Sequence, residues 1–184
     1  MKTIIQITGA ALISMASSAQ AAEFSVSSPS LQPDGTLPTA HVLNSFGCTG
    51  GNISPALSWR NVPSGTQSFA LTAYDPDAPT GSGWWHWVVY NIPATVHSVA
   101  EGAGSASGQQ LPISTTQGKT DFGTVGYSGA CPPTGDKPHR YIFTVHALKT
   151  SKIDLPPDAS AAMVGFMIHL HKLGSTSLKV TYER

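Results

Sequence analysis

The chain is 184 residues long, with 10 Lys plus Arg balanced by 10 Asp plus Glu. It therefore lacks the cationic excess of a nucleic-acid-binding or polybasic membrane-binding protein. Recurrent aromatic and β-branched residues among many Gly and Pro describe a turn-rich globule rather than a disordered segment.

At the N-terminus, Lys2 precedes an apolar run from Ile4 to Ala16 and the small-residue triplet Ala19-Gln20-Ala21. This is the pattern of an export signal spanning residues 1–21, which directs the protein to the periplasm or the exterior. The run is shorter than the roughly 20 residues that cross a bilayer, so no transmembrane anchorage is expected. About 160 residues follow, the size of a single domain, 22–184. In an oxidising compartment the two cysteines, Cys48 and Cys131, are expected to form a disulfide.

Strands are predicted where apolar residues alternate: Phe24 to Val26, and Gln67 to Tyr74 with Phe69, Leu71 and Ala73 on one side. Trp84 to Asn91 is nearly all aromatic or β-branched, as in a central strand covered on both faces, and Arg140 to Leu148 is similar. The stretch 94–125 reads as a long excursion of turns and irregular strand. A helix is predicted over Ala159 to Lys172, capped by Asp158 and stopped by Gly174. Ser177 to Arg184 closes the chain as a strand with Leu178, Val180 and Tyr182 inward. Many short strands with one late helix make a mainly β, α+β architecture.

Three segments carry groups capable of chemistry. The strand from Gln67 runs into Asp75-Pro76-Asp77-Ala78-Pro79, whose prolines end ladder pairing and leave Asp75 at the strand end, with the parity of Phe69 and Ala73. The alternative for Asp75 or Asp77 is a local Asx-turn. His86 sits among Trp84, Trp85 and Trp87, which suggests a pocket wall. His139 and Tyr141 share one strand face and Arg140 takes the other. Upstream, Gly129-Ala130-Cys131-Pro132-Pro133 is a rigid turn whose backbone can approach a ligand. Two imidazoles, a phenol and exposed N–H groups suit an anion.

In order and spacing these blocks resemble the signatures of the phosphatidylethanolamine-binding family, including its Raf-kinase-inhibitor-like bacterial branch. The resemblance implies a large central, antiparallel-rich sheet with a smaller sheet packed on it and a few helices. It also implies one pocket lined by Asp75, Pro79, His86, His139 and Tyr141, with Pro132 and Pro133 at its rim. Such pockets accept phosphate, phosphoryl-ethanolamine-like head groups or acetate, without cofactor or metal and without catalysis; a Raf-kinase-inhibitor-like regulatory role is the extension. Two departures stand out. Cys131 occupies a position that is often Gly in eukaryotic relatives, and their exposed C-terminal helix is shortened or absent here.

From these residues an electropositive cradle is expected, with affinity rising toward pH ~6 as His86 or His139 gains a proton. Other readings compete. Gly126-Tyr127-Ser128-Gly129 nearly spells a serine-hydrolase elbow, though prolines rather than a helix follow it. Asp75, His86 and His139 form a chemically sensible metal set with no further ligand at suitable spacing. His169 and His171 diverge on a helix, one buried and one exposed. Asp121-Phe122-Gly123 lacks the rest of a kinase and reads as loop. A secreted effector would instead meet a protein partner through Trp84, Trp85 and the 94–125 excursion, and a homodimer is also open.

Overall fold

The structure, a computed structural model, describes residues 22–184. The export signal expected at residues 1–21 lies outside them. Five antiparallel strands form the main sheet: β3 (Ser68–Asp75), β4 (Trp84–Pro93), β6 (Thr116–Gln117), β7 (His139–Leu148) and β8 (Lys172–Tyr182), in the order β6-β4-β3-β7-β8. A smaller antiparallel sheet, ordered β1-β2-β5, contains β1 (Ser25–Ser27), β2 (Leu57–Arg60) and β5 (Ser98–Val99). One α-helix, α1 (Ala161–His171), is present among the described residues. This is the mainly β, two-sheet architecture expected from the sequence.

Both faces of the main sheet are covered, because β3, β4 and β7 carry apolar side chains in both registers. Phe69, Leu71, Ala73, Trp87, Val89, Phe143 and Val145 pack with Trp59 and Leu57 of the smaller sheet. On the other face Ala70, Val88, Tyr90 and Leu148 pack under Ala161, Val164 and Ile168 of α1. Each large side chain buried this way stabilises the fold by about 1.5–3 kcal/mol relative to exposure. The outer face of α1 stays open, with Met163, Phe166 and Leu170 exposed.

The sequence reading needs correction around this helix. Ser160, not Asp158, is the cap, accepting a 3.2 Å hydrogen bond from the Met163 amide. Gly174 does not stop the helix. The backbone turns extended at Lys172, and Gly174 sits inside β8 opposite Ala147. A Cβ there would come within 3.1 Å of Pro63, a close approach that favours glycine. Of the two helix histidines, His169 is exposed and His171 is half-buried, so neither is a core residue. Strand β2, with its inward Trp59, was not anticipated, and β8 begins well before Ser177.

A candidate ligand-binding site at the ends of three strands

The three segments singled out in the sequence meet where β3, β4 and β7 end, around a cavity of about 410 Å³. Asp75, Pro79, His86, Pro132, Pro133, His139 and Tyr141 all line it. Phe46, Trp84, Asp121, Phe122 and Cys131 also contribute.

How β4 delivers His86 follows from its register. Ala73 pairs with Trp87 but the next residue, Tyr74, pairs with Trp85, so β4 carries one extra residue there. Strict alternation back from Trp87, which belongs to the inter-sheet core, would turn His86 toward α1. Instead Trp85 packs on the α1 side and His86 joins the cavity. Bulges beside sites re-aim side chains in this way. The three neighbouring indoles consequently part company. Trp84 lines the cavity, Trp85 packs tilted at 45° against Tyr74 with centroids 4.6 Å apart, and Trp87 is wholly in the core.

Asp75 is buried at 2% exposure, and every hydrogen bond it accepts is local to the site. Its Oδ1 accepts the amides of Asp77 and Ala78 at 2.8 and 3.1 Å, while Oδ2 is 2.8 Å from His139 Nδ1. One carboxylate thus both makes the Asx-turn and lines the cavity. His139 Nε2 lies 3.3 Å from the Asp136 carboxylate at the surface. Arg140, on the opposite face as expected, makes a bidentate pair with Asp77 at 2.8 Å per contact. The guanidinium lowers the Asp77 pKa to about 2.

His86 Nδ1 donates to the carbonyls of Ser128 and Gly129, at 2.8 and 3.2 Å. Burial lowers the pKa of this ring despite those bonds. A neutral imidazole with Nδ1–H committed in this way keeps an accepting Nε2. The carbonyls are fixed by their own strap: Gly129 N donates to Asn52 Oδ1 at 2.8 Å, and Leu43 N to Ala130 O at 3.0 Å. A Cβ on Gly129 would collide with the His41 carbonyl and Leu43 amide, so only glycine lets these segments touch.

Five buried polar atoms among the described residues have no hydrogen-bond partner, and two of them, Trp84 Nε1 and the Tyr141 hydroxyl, belong to cavity-lining residues. Burial, with the Asp75 carboxylate nearby, raises the Tyr141 pKa, so the phenol remains a donor. No lysine or arginine lines the cavity. The expected electropositive cradle is therefore corrected: the lining holds two carboxylates, Asp75 and Asp121, each accepting hydrogen bonds from the protein, and its free donors are N–H and O–H groups rather than lysine or arginine cations.

Sequence reasoning missed Asp121, Phe122 and Phe46. Asp121 and Trp85 exchange backbone and side-chain hydrogen bonds of 3.1 and 2.8 Å. That clamp carries Phe122 onto His86 and Trp84, with centroids 5.5 and 5.3 Å away. An aspartate before an aromatic residue in a Gly/Ser/Thr-rich excursion was the only signal, and it is weak. Cys48 and Cys131 are bonded, with Cα atoms 6.0 Å apart, as expected. The bridge ties the 45–49 turn to the Pro132-Pro133 rim. Among the described residues no group of three or more His, Cys, Asp or Glu is placed to hold a metal ion, and no helix is long and apolar enough to cross a membrane.

The profile of the family described as Phosphatidylethanolamine-binding protein matches residues 27–183. The chain is 52% identical to UPF0098 protein YbcL of Escherichia coli over 183 residues, 100% of this chain and 99% of that one. It is 54% identical to E. coli UPF0098 protein YbhB over 147 residues, 80% and 92% of the respective lengths. The crystal structure of E. coli YbcL, described as a new member of the mammalian PEBP family, superposes with a TM-score of 0.87 at 53% identity, covering 89% of this chain and 99% of that one. A PEBP homologue from Chlamydia trachomatis, CT736, gives a TM-score of 0.72 at 30% identity, covering 88% and 97%.

Proposed function

The chain belongs to the phosphatidylethanolamine-binding protein family, and from that premise we propose that it is a non-enzymatic binding module for small anionic or phosphorylated groups, exported to the periplasm or beyond. The observation that carries this reading is the pair of buried, unpartnered donors, Trp84 Nε1 and Tyr141 Oη, on the wall of an open cavity. A buried donor without a partner costs about 1–3 kcal/mol, which an oxyanion in the cavity offsets. Asp75 does not oppose such a ligand with a bare charge, because three donors already face its oxygens. Export is supported by the N-terminal pattern and by the disulfide.

The neutral His86 moves the pH argument from the protein to the ligand. Its Nε2 accepts, so the preferred species is an oxyanion with a hydroxyl to donate, such as the phosphomonoester monoanion. The affinity for methyl phosphate is then expected to rise as pH falls through the ester's second pKa near ~6. Methyl sulfate, which has no such hydroxyl, is expected to bind more weakly with no pH trend.

What weighs against serine-hydrolase chemistry is that His86 Nδ1 is spent on the Ser128 carbonyl, and no helix follows Ser128. The decisive experiment is calorimetric titration of wild type and Tyr141→Phe with methyl phosphate. The substitution removes a donor to a charged acceptor and should weaken binding about tenfold or more. Folding stability should change little, since the hydroxyl's polar neighbour, Asp75, already accepts three other hydrogen bonds. Equal affinities, or no binding by wild type, would remove the reading.

A further inference from the structure

Resting on the proposed reading of the same cavity, we infer that Asn52 is a positioning residue, which fixes the tautomer of His86 and through it the cavity's choice between protonated and bare oxyanions. Asn52 is exposed and does not line the cavity. It acts through the peptide unit that joins Ser128 to Gly129. The carbonyl of that unit accepts the His86 Nδ1 proton at 2.8 Å, and its amide donates to Asn52 Oδ1, also at 2.8 Å. The unit is trans and planar, so the two bonds leave from opposite edges of one plate.

Turning that plate over would present the Gly129 N–H to the His86 ring in place of the Ser128 carbonyl. Nδ1 would then accept and the ring proton would move to Nε2, because the hydrogen bond made by one ring nitrogen sets the state of the other. The second carbonyl on Nδ1, that of Gly129 at 3.2 Å, is the longer contact. Glycine at 129 permits the backbone angles that such a turn requires. What opposes it is Asn52 Oδ1, which accepts from an N–H and has nothing to offer a carbonyl. The two preceding amides are held by backbone acceptors: Tyr127 N donates to Gly104 O at 2.7 Å, and Ser128 N to His86 O at 2.9 Å. Of the three, only the Gly129 amide depends on a side chain.

Asparagine suits this position. Its φ is 52°, a left-handed conformation that asparagine adopts more readily than most residues. Its Nδ2 donates to Tyr127 O at 3.4 Å, so one carboxamide meets both a carbonyl and an amide of the same segment. That pairing needs a donor and an acceptor on one side chain. With Nδ1–H committed, Nε2 accepts and an oxyanion bearing a hydroxyl is preferred. The turned plate would favour a bare oxyanion instead.

The test compares wild type with Asn52→Gly, which tolerates the left-handed backbone but loses both contacts, and Asn52→Asp, which keeps an acceptor for the Gly129 amide. Asn52 is exposed, so neither change empties the core. The first readout needs no ligand: nitrogen NMR of the His86 ring distinguishes a protonated from an unprotonated ring nitrogen. Wild type and Asn52→Asp should carry the proton on Nδ1, and Asn52→Gly should shift it toward Nε2. The second is titration with methyl phosphate and methyl sulfate at pH ~5, where both are monoanions. The affinity ratio should favour methyl phosphate in wild type and Asn52→Asp, and fall about fivefold in Asn52→Gly, the size of one hydrogen bond. Taking the ratio cancels the charge that aspartate adds. A proton that stays on Nδ1 in Asn52→Gly, or one that moves while the ratio holds, would overturn this inference and leave the anion-binding reading standing. Binding of neither ester by wild type would overturn both.

Discussion

The two faces of the main sheet bury polar groups in the same strands and treat them differently. On the inter-sheet side, His86 is lowered in pKa by burial but has its Nδ1–H satisfied by two carbonyls, and the unpartnered donors Trp84 Nε1 and Tyr141 Oη border a cavity. On the helix side, burial lowers His146 to about 4, Nε2 contacts Thr72 Oγ1 at 3.1 Å, and Nδ1 is buried without a partner or a lining role in that cavity. An orphaned polar atom alone does not mark a site. It does so when strand ends, bulge and loops leave room beside it for a ligand.

The largest expected effect comes from cutting the bridge that closes the cavity side. Replacing Cys48 and Cys131 with serine frees a link spanning 83 residues and should lower stability by about 2–4 kcal/mol, read as a shift in denaturant midpoint. Hydrogen exchange should rise in residues 42–52 and 128–135, while the amides of α1 and β8 hold their protection relative to the new global stability. Uniform loss of protection would show that the two faces unfold as one and that the comparison has no thermodynamic content.

Next in size is the cost of His146. The unfolded chain takes up a proton near 6.5 and the folded ring only near 4. This contribution is fully present above pH 6.5 and is lost as pH falls toward 4, by at most about 3 kcal/mol. His86, shifted in the same direction, adds to the loss. His146→Gln keeps an amide for Thr72 and does not titrate. Stability followed from pH 7 to 4 should fall less steeply in that variant, with the share owed to His86 remaining. Parallel curves would dismiss the burial assigned to the helix face.

How much of this was legible beforehand depended on how local each feature was. Strand parity and the prolines placed Asp75, His139 and Tyr141 at strand ends, the family resemblance joined them with Pro79, Pro132 and Pro133 in one pocket, and all six line the cavity. The mainly β class followed from many short strands, alternating or wholly apolar, with one late helix, and the two-sheet layout from the family resemblance. His86 reached the cavity through a bulge that no alternation rule shows, so its proximity to three indoles hinted at the right neighbourhood for an incomplete reason. Phe46 and Phe122 are brought in only by tertiary contacts, the disulfide and the Asp121–Trp85 clamp. At the helix the sequence reading placed the cap at Asp158, whereas the helix starts two residues later at Ser160, next to Ala161, which packs under the sheet. Gly174 suited a helix stop by composition, yet the approach of Pro63 is what it accommodates.

The smallest effect sharpens the comparison most, because it asks whether a carboxylate beside the cavity already acts as a stand-in for its ligand. Asp136 presents a carboxylate 3.3 Å from His139 Nε2, and 42% of that side chain faces solvent. The other ring nitrogen meets Asp75. An arriving oxyanion competes with Asp136 for the Nε2 side of the ring and is repelled by its charge. Asp136→Asn removes the charge while the backbone bond from residue 136 to the Pro133 carbonyl persists. Repulsion between the half-exposed Asp136 carboxylate and a bound phosphate is of the size of an exposed charge interaction, about 0.2–1 kcal/mol, so inorganic phosphate should bind up to about fivefold more tightly to the variant. The gain should shrink at high salt, where such charges are screened. A weaker-binding variant would reverse the assignment: Asp136 would then hold the His139 ring in place for the ligand, and the carboxylate would belong to the site as a positioning residue.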